Sequence, residues 1–242
     1  MKGLKFYVIG LCAALLIESC GMSNTAKGGI IGGTSGAAIG TALGAILAKK
    51  GNKTKVGAIA GAAGAAVGTT AGILIGRKMD KAKKEAEKIA NAQVEGVIDG
   101  NGYDAVKVTF DSGILFKTGK SALNAVAKSS LDNFATNVLI PNNLMSVGVI
   151  GFTDNQGWSN STAEQSKQKN LVLSQQRAQA VSSYLLKQGV ADTQIKEVVG
   201  LGEDNPVADN STAAGQAQNR RVEVYLYASP EMIQQAEAGT LQ

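Results

Sequence analysis

The chain has 242 residues, 44% hydrophobic but only 5% aromatic, with 30 glycines, two cysteines, no histidine and a formal net charge of +5. The lack of histidine excludes His-based triads and histidine metal sites, and two cysteines near the N-terminus leave no zinc cluster elsewhere. Residues 1–90 carry 13 Lys/Arg against 4 Asp/Glu, and residues 91–242 carry 11 against 15. The basic part, which flanks apolar stretches, suits a membrane surface, whereas the mildly acidic remainder is poorly suited to nucleic acid.

The first stretch, "MKGLKFYVIGLCAALLIESC", has Lys2 and Lys5, then an apolar core, then small residues. This is the layout of a secretory signal peptide, and the core is short for a membrane span. Ile17-Glu18-Ser19-Cys20 resembles the lipobox of bacterial lipoproteins, although Glu18 is an unusual choice at its variable place. That resemblance implies removal of residues 1–19, lipidation of Cys20 and a tether over 20–27. An ordinary signal peptide with an incidental Cys20 is the alternative.

Two uncharged stretches follow, at 28–48 and 56–76. Gly28, Gly32, Gly36, Gly40 and Gly44 recur every fourth residue, as do Gly64, Gly68, Gly72 and Gly76. On a helix each set forms a flat stripe where a second backbone can approach closely. Each stretch is about long enough to cross a bilayer. Residues 28–78 are expected to form a membrane-associated glycine-zipper hairpin, packed on itself or on further copies; a flexible Gly/Ala linker is the other reading. Residues 79–102 read as a charged helical stem, with pairs such as Asp80 and Lys84 at helical spacing.

From 103 the pattern becomes that of an α/β domain. "AVKVTFD" alternates as a strand, and "SALNAVAKSSLDNFATNVLI" has helical spacing. "MSVGVIGFTD" is a second strand, a long helix ends near Gly189, and "KEVVGLG" and "RRVEVYLYA" supply two more strands. Alternation of strands and helices predicts helices packed against a small sheet. Residues 229–242 read as a tail.

The long helix has an anomaly. Ala178, Val181 and Leu185 share one stripe, with Gln175, Gln176, Gln179, Ser182, Ser183 and Lys187 opposite. Extended toward the N-terminus, the apolar stripe contains Asn170, Ser174 and Arg177. A guanidinium there either reaches water by its long stem or faces a carboxylate at the edge of a site.

"TFDSGILFKTGKSAL", "GFTDNQG", "NLVLSQQRAQAVSSYLLKQGV", "GLGEDNPVADN" and "GQAQNRRVEV" stand in the order typical of OmpA-like domains. The stretch 103–228 therefore resembles the C-terminal module of outer-membrane protein A and of the peptidoglycan-associated lipoprotein. Lipobox, glycine zipper and this domain in series resemble YiaD-type outer-membrane lipoproteins. The resemblance implies a βαβαβ-type sandwich with a small mixed sheet, in the periplasm of a protein held at the outer membrane. It implies non-covalent binding of the diaminopimelate in peptidoglycan stem peptides, with no cofactor. Asp154 would hold the ligand ammonium and Arg177 a ligand carboxylate. A planar guanidinium fork suits that carboxylate. Asn170 and the loop Asp111-Ser112-Gly113 would line the pocket, with backbone contacts from Thr153 and Asn155. Ser174, Asn219 and Arg220 would support it. Without ligand, Asp154 and Arg177 are expected to stabilise each other.

The chain departs from the family pattern twice. Phe152 stands where many members have histidine, and the segment between Asp154 and Asn170 is longer than usual. The extra polar loop, 158–169, holds the only tryptophan, Trp158. Two roles are open to Trp158: stacking on a glycan ring or covering the ligand, and stapling its own loop. Three functions compete: a wall-binding tether, a membrane oligomer, pore or assembly platform built on the glycine stripes, and a peptidoglycan-cleaving enzyme. The last lacks a second pocket acid, a nucleophile motif and a metal set, so the domain is expected to be a non-enzymatic binding module.

Overall fold

The computed structural model describes residues 42–44 and 69–242. The expected signal peptide, Cys20 and most of the hairpin at 28–78 lie outside the described residues. Helix α1 (Thr70–Ala86) opens on Thr69, whose hydroxyl oxygen accepts the Gly72 N–H at 3.0 Å. Its buried residues Ala71, Ile75, Met79, Ala82 and Ala86 recur every three or four positions and so line one face. That face joins the main core. The end of the second glycine-rich stretch and the start of the expected stem are thus one amphipathic helix. Gly76 in this helix lies beside Asp104 at the start of a later strand: a Cβ there would fall 2.8 Å from the Asp104 Oδ2 tip. Among the described residues no helix is long and apolar enough to cross a membrane.

Asn91, in the left-handed region, follows the helix, and strand β1 (Ala92–Ile98) begins at once. The stem expected over 79–102 is therefore part of the folded domain, which begins well before residue 103. Strand β1 pairs antiparallel with β2 (Asp104–Asp111), putting Glu95 opposite Lys107 in an ion pair at 2.7 Å. Next come the single turn α2 (Ser112–Leu115) and α3 (Ala125–Phe134), which runs on through a π segment and a short 3-10 turn to Asn142. Asn124 caps α3 by accepting the Ala127 N–H at 2.8 Å, and it donates to the Ile114 carbonyl at 2.6 Å. Strand β3 (Met145–Gly151), helix α4 (Ala163–Lys187), strand β4 (Ile195–Gly200), helix α5 (Ala213–Asn219), strand β5 (Arg221–Ala228) and helix α6 (Pro230–Glu237) complete the order. The 229–242 segment is more than a tail: Ser229 caps α6, and Met232 and Ala236 enter the core.

The sheet order is β1-β2-β5-β3-β4, antiparallel except for β3 beside β4. This is the small mixed sheet that the sequence predicts, with one additional strand. Central β5 is buried along its whole length, and its alternation sends side chains to two different environments. Val222, Val224 and Leu226 join Val106, Val108, Phe110, Leu131, Phe134, Val147, Val149, Val181 and Leu185 in the main core. Phe110 and Phe134 meet edge to face at 5.7 Å, worth about 1 kcal/mol beyond their burial. Tyr225 and Tyr227 pack on the other face with Ala105, Ile150, Phe152, Leu201 and Leu43.

Helix α4 lies directly on the ends of β3 and β4. A Cβ on Gly151 would fall 2.1 Å from the Ser174 carbonyl oxygen, and one on Gly200 would fall 2.2 Å from the Gln175 nitrogen. Only glycine permits that approach. The contact is then stitched by side chains. Gln175 Oε1 accepts the Gly200 N–H at 2.6 Å, and its Nε2 donates to the Val198 carbonyl at 3.1 Å. Ser174 Oγ accepts the Gly202 N–H at 2.8 Å and donates to the Leu171 carbonyl at 2.7 Å. Ser182, expected on the outer side of α4, is buried.

Candidate ligand-binding site

The close contact fixes which α4 residues stand above the end of β3. Asn170, Ser174 and Arg177, the polar members of the inward stripe, are all buried. Asp154 follows β3 by three residues and is 5% exposed. Its Oδ1 accepts the Gln156 N–H at 3.2 Å, closing an Asx turn. Its Oδ2 forms an ion pair with Arg220 Nη1.

The expected mutual pairing of Asp154 and Arg177 is therefore replaced by Asp154–Arg220. The cause lies in the sheet: β3 and β5 are neighbours with Gly151 opposite Val222. Arg220, just before β5, thus comes beside the turn that carries Asp154. About a third of the Arg220 side chain is exposed, whereas the Asp154 carboxylate is nearly buried.

Arg177 has a different environment. Its Nε donates to the Lys120 carbonyl at 3.1 Å, and its guanidinium lies 5.2 Å from the centre of the Phe116 ring. Its Nη1 is buried without a hydrogen-bond partner. Burial pushes its pKa down to about 10, against an upward pull from Asp154 and with a further downward push from Arg220. The three charges therefore share one electrostatic environment, and Arg177 remains cationic at neutral pH.

Two hydroxyl oxygens, Ser112 Oγ and Thr153 Oγ1, are also buried without partners. The Ser112 N–H donates to the Arg220 carbonyl at 2.9 Å, tying the α2 turn to the start of β5. The Thr153 N–H, expected to face a ligand, instead donates to the Gly202 carbonyl at 2.7 Å, so its hydroxyl is the group available. Asp111 is exposed, and its carboxylate caps α2 by accepting the Gly113 N–H at 2.6 Å. Gly113 and Asn155 are exposed.

Asn170 Nδ2 donates to the Gln156 carbonyl at 3.2 Å, with longer contacts at 3.4 Å to the Asp154 carbonyl and to Glu203 Oε2. Asn219 is a brace: its Oδ1 accepts the Val207 and Ala208 N–H groups, and its Nδ2 donates to Ala208 and Asn210. Sequence reasoning passed over Phe116, Lys120 and Glu203, though all three lie within the quoted motifs. Only the fold shows that they touch Arg177 and Asn170. Among the described residues no group of His, Cys, Asp or Glu could hold a metal ion.

The arrangement joins a carboxylate, a guanidinium with an unmatched N–H group and two free hydroxyls at one end of the sheet. A buried donor without a partner costs about 1–3 kcal/mol. A ligand carboxylate would relieve that cost by a charge-assisted bond.

A family model described as the OmpA family matches residues 115–220. A protein named YiaD from Escherichia coli K12 is 38% identical over 123 residues, 51% of this chain and 52% of that protein. The chain thus spans about half the length of that relative. The peptidoglycan-associated lipoprotein of Pseudomonas putida is 33% identical over 129 residues, covering 53% of this chain and 71% of the relative. Among solved structures, a MotB-like protein from Desulfovibrio vulgaris aligns with a TM-score of 0.55 over 66% of this chain and 100% of its own, at 22% identity. That likeness concerns the fold alone. The chain belongs to the OmpA family.

Proposed function

We propose that this protein binds peptidoglycan without a covalent bond by gripping the free amino-acid head of diaminopimelate between Asp154 and Arg177. The single observation that carries this reading is Arg177 Nη1, buried with no hydrogen-bond partner beside a carboxylate that it does not contact directly. The ligand carboxylate would dock on Arg177, and its ammonium would take Asp154 while Arg220 swings outward. Ser112 and Thr153 would supply hydroxyl contacts. With Cys20 lipidated, such binding would tether the outer membrane to the wall from the periplasmic side. The relative named peptidoglycan-associated lipoprotein supports this reading. The chemistry asks for binding and no bond cleavage.

The test is co-sedimentation of the full-length protein, in detergent, with purified diaminopimelate-containing sacculi. Asp154→Ala and Arg177→Ala should each reduce retention at least tenfold, the loss expected for a charge-assisted contact (about 1.5–3 kcal/mol), with the circular-dichroism spectrum of the folded domain retained. Retention equal to that of the unaltered protein in both variants would overturn the site.

A further inference from the structure

We infer that Trp158 is a positioning residue for the Arg177 carboxylate slot, and that it sets how well the site distinguishes diaminopimelate from lysine. The inference rests on the proposed function and adds a residue from the loop that departs from the family pattern.

The loop is a built feature. At its far end Thr162 and Gln165 cap α4 reciprocally: the Gln165 N–H donates to Thr162 Oγ1 at 3.2 Å, and the Thr162 N–H donates to Gln165 Oε1 at 2.9 Å. Within it, the Trp158 N–H donates to Ser166 Oγ at 3.0 Å, and the indole Nε1 donates to Asn170 Oδ1 at 2.7 Å. Lys169 Nζ lies 5.9 Å from the ring centre. The half-buried indole is thereby held on the first turns of α4, about two helical turns before Arg177.

Two consequences follow for the slot. First, Asn170 has one side-chain acceptor oxygen, and the indole occupies it. Its amide nitrogen must then face Asp154, Gln156 and Glu203. Asn170 therefore acts as a strut that sets the Asp154 turn.

Second, the far edge of the indole reaches the turn 117–120. Gly119, whose φ is +66°, stands beside it: a Cβ built there would lie 3.9 Å from Trp158 Cη2, so the ring edge borders the turn. The turn closes through the Lys120 N–H donating to the Lys117 carbonyl at 3.0 Å. Its last carbonyl, that of Lys120, accepts from Arg177 Nε. That bond aims the guanidinium fork, so the surface that supports the turn also aims Nη1.

Diaminopimelate and lysine differ by one carboxylate, the group that Arg177 would take. Misaiming the fork should therefore weaken the first ligand more than the second. The experiment uses full-length protein in detergent and stem tripeptides carrying either residue at the third position, with dissociation constants from calorimetry. The unaltered protein should prefer the diaminopimelate peptide. W158A and W158L should lower affinity for that peptide about tenfold and lysine-peptide affinity by clearly less, narrowing the preference. W158F, which keeps a flat ring against Gly119, should retain the preference within about threefold. If W158A fails to fold, W158L carries the same test. An equal loss toward both peptides, or an unchanged preference, would overturn the positioning role and leave the proposed function standing. No preference in the unaltered protein would overturn the proposed function itself, and this inference with it.

Discussion

Two arginines in this domain lie over phenylalanine rings and are almost fully buried, yet they are satisfied very differently. Arg221 sits 3.7 Å from the Phe152 ring centre and gives every part of its fork a partner. Nε donates to Glu223 Oε1 at 2.7 Å, Nη1 to the Asn219 carbonyl at 3.2 Å and Nη2 to the Asn205 carbonyl at 3.2 Å. Glu223 in turn accepts the Tyr225 hydroxyl at 2.5 Å. Arg177 lies over Phe116 with one hydrogen bond and a bare Nη1. Both have paid the cost of leaving water, but only Arg221 recovers it inside the protein. A saturated buried charge holds the scaffold together, whereas an unsaturated one is a place for a partner of opposite charge.

The largest test of this difference is removal of each arginine in turn. Arg221→Met should lower unfolding free energy by about 3–5 kcal/mol, because Glu223 loses its buried counterion. Urea titration of the full-length protein measures it. A loss under about 1 kcal/mol would erase the contrast.

Arg177→Met is the smaller and more telling change. It removes a buried charge that costs stability while keeping an apolar stem against Phe116, so stability should stay within about 1 kcal/mol of the original or rise. A loss near that of Arg221→Met would show that Arg177 is scaffold.

The sequence made one of these arginines legible and left the other obscure, for physical reasons. Arg177 stands out because helical spacing puts it in an apolar stripe with Asn170 and Ser174, where a polar group is anomalous. Arg221 and Glu223 alternate with valines on a strand, the ordinary pattern of a half-exposed sheet, and nothing local reveals that their face is also covered. The Asp154–Arg220 pair was hidden because it depends on strand register between segments 66 residues apart. Strand β1 was hidden behind the charged run before it, with Val94, Val97 and Ile98 its only local signal. Helix α1 was half legible. Its inward face is mostly alanine, which contrasts weakly with lysine stems, so it read as a solvated stem.

The smallest expected effect is in the alkaline range, where the two regions should pull in opposite directions. Burial and then Glu223 raise the Tyr225 phenol far above its ordinary value of 10.0. Above pH 10 the unfolded chain releases this proton and the folded one keeps it. Its contribution is therefore complete below pH 10 and lost as pH rises, by at most about 1.4 kcal/mol per pH unit. Arg177 behaves inversely. Burial lowers its pKa on folding to about 10, so above pH 10 the unfolded chain holds more protons and the burial penalty is relieved as pH rises. Unfolding free energies between pH 9 and 11 should therefore fall less steeply in Tyr225→Phe and more steeply in Arg177→Met than in the unaltered protein. Parallel curves for all three would mean that neither group changes its proton affinity on folding. The contrast between a saturated and an unsaturated buried charge would then lose its electrostatic basis.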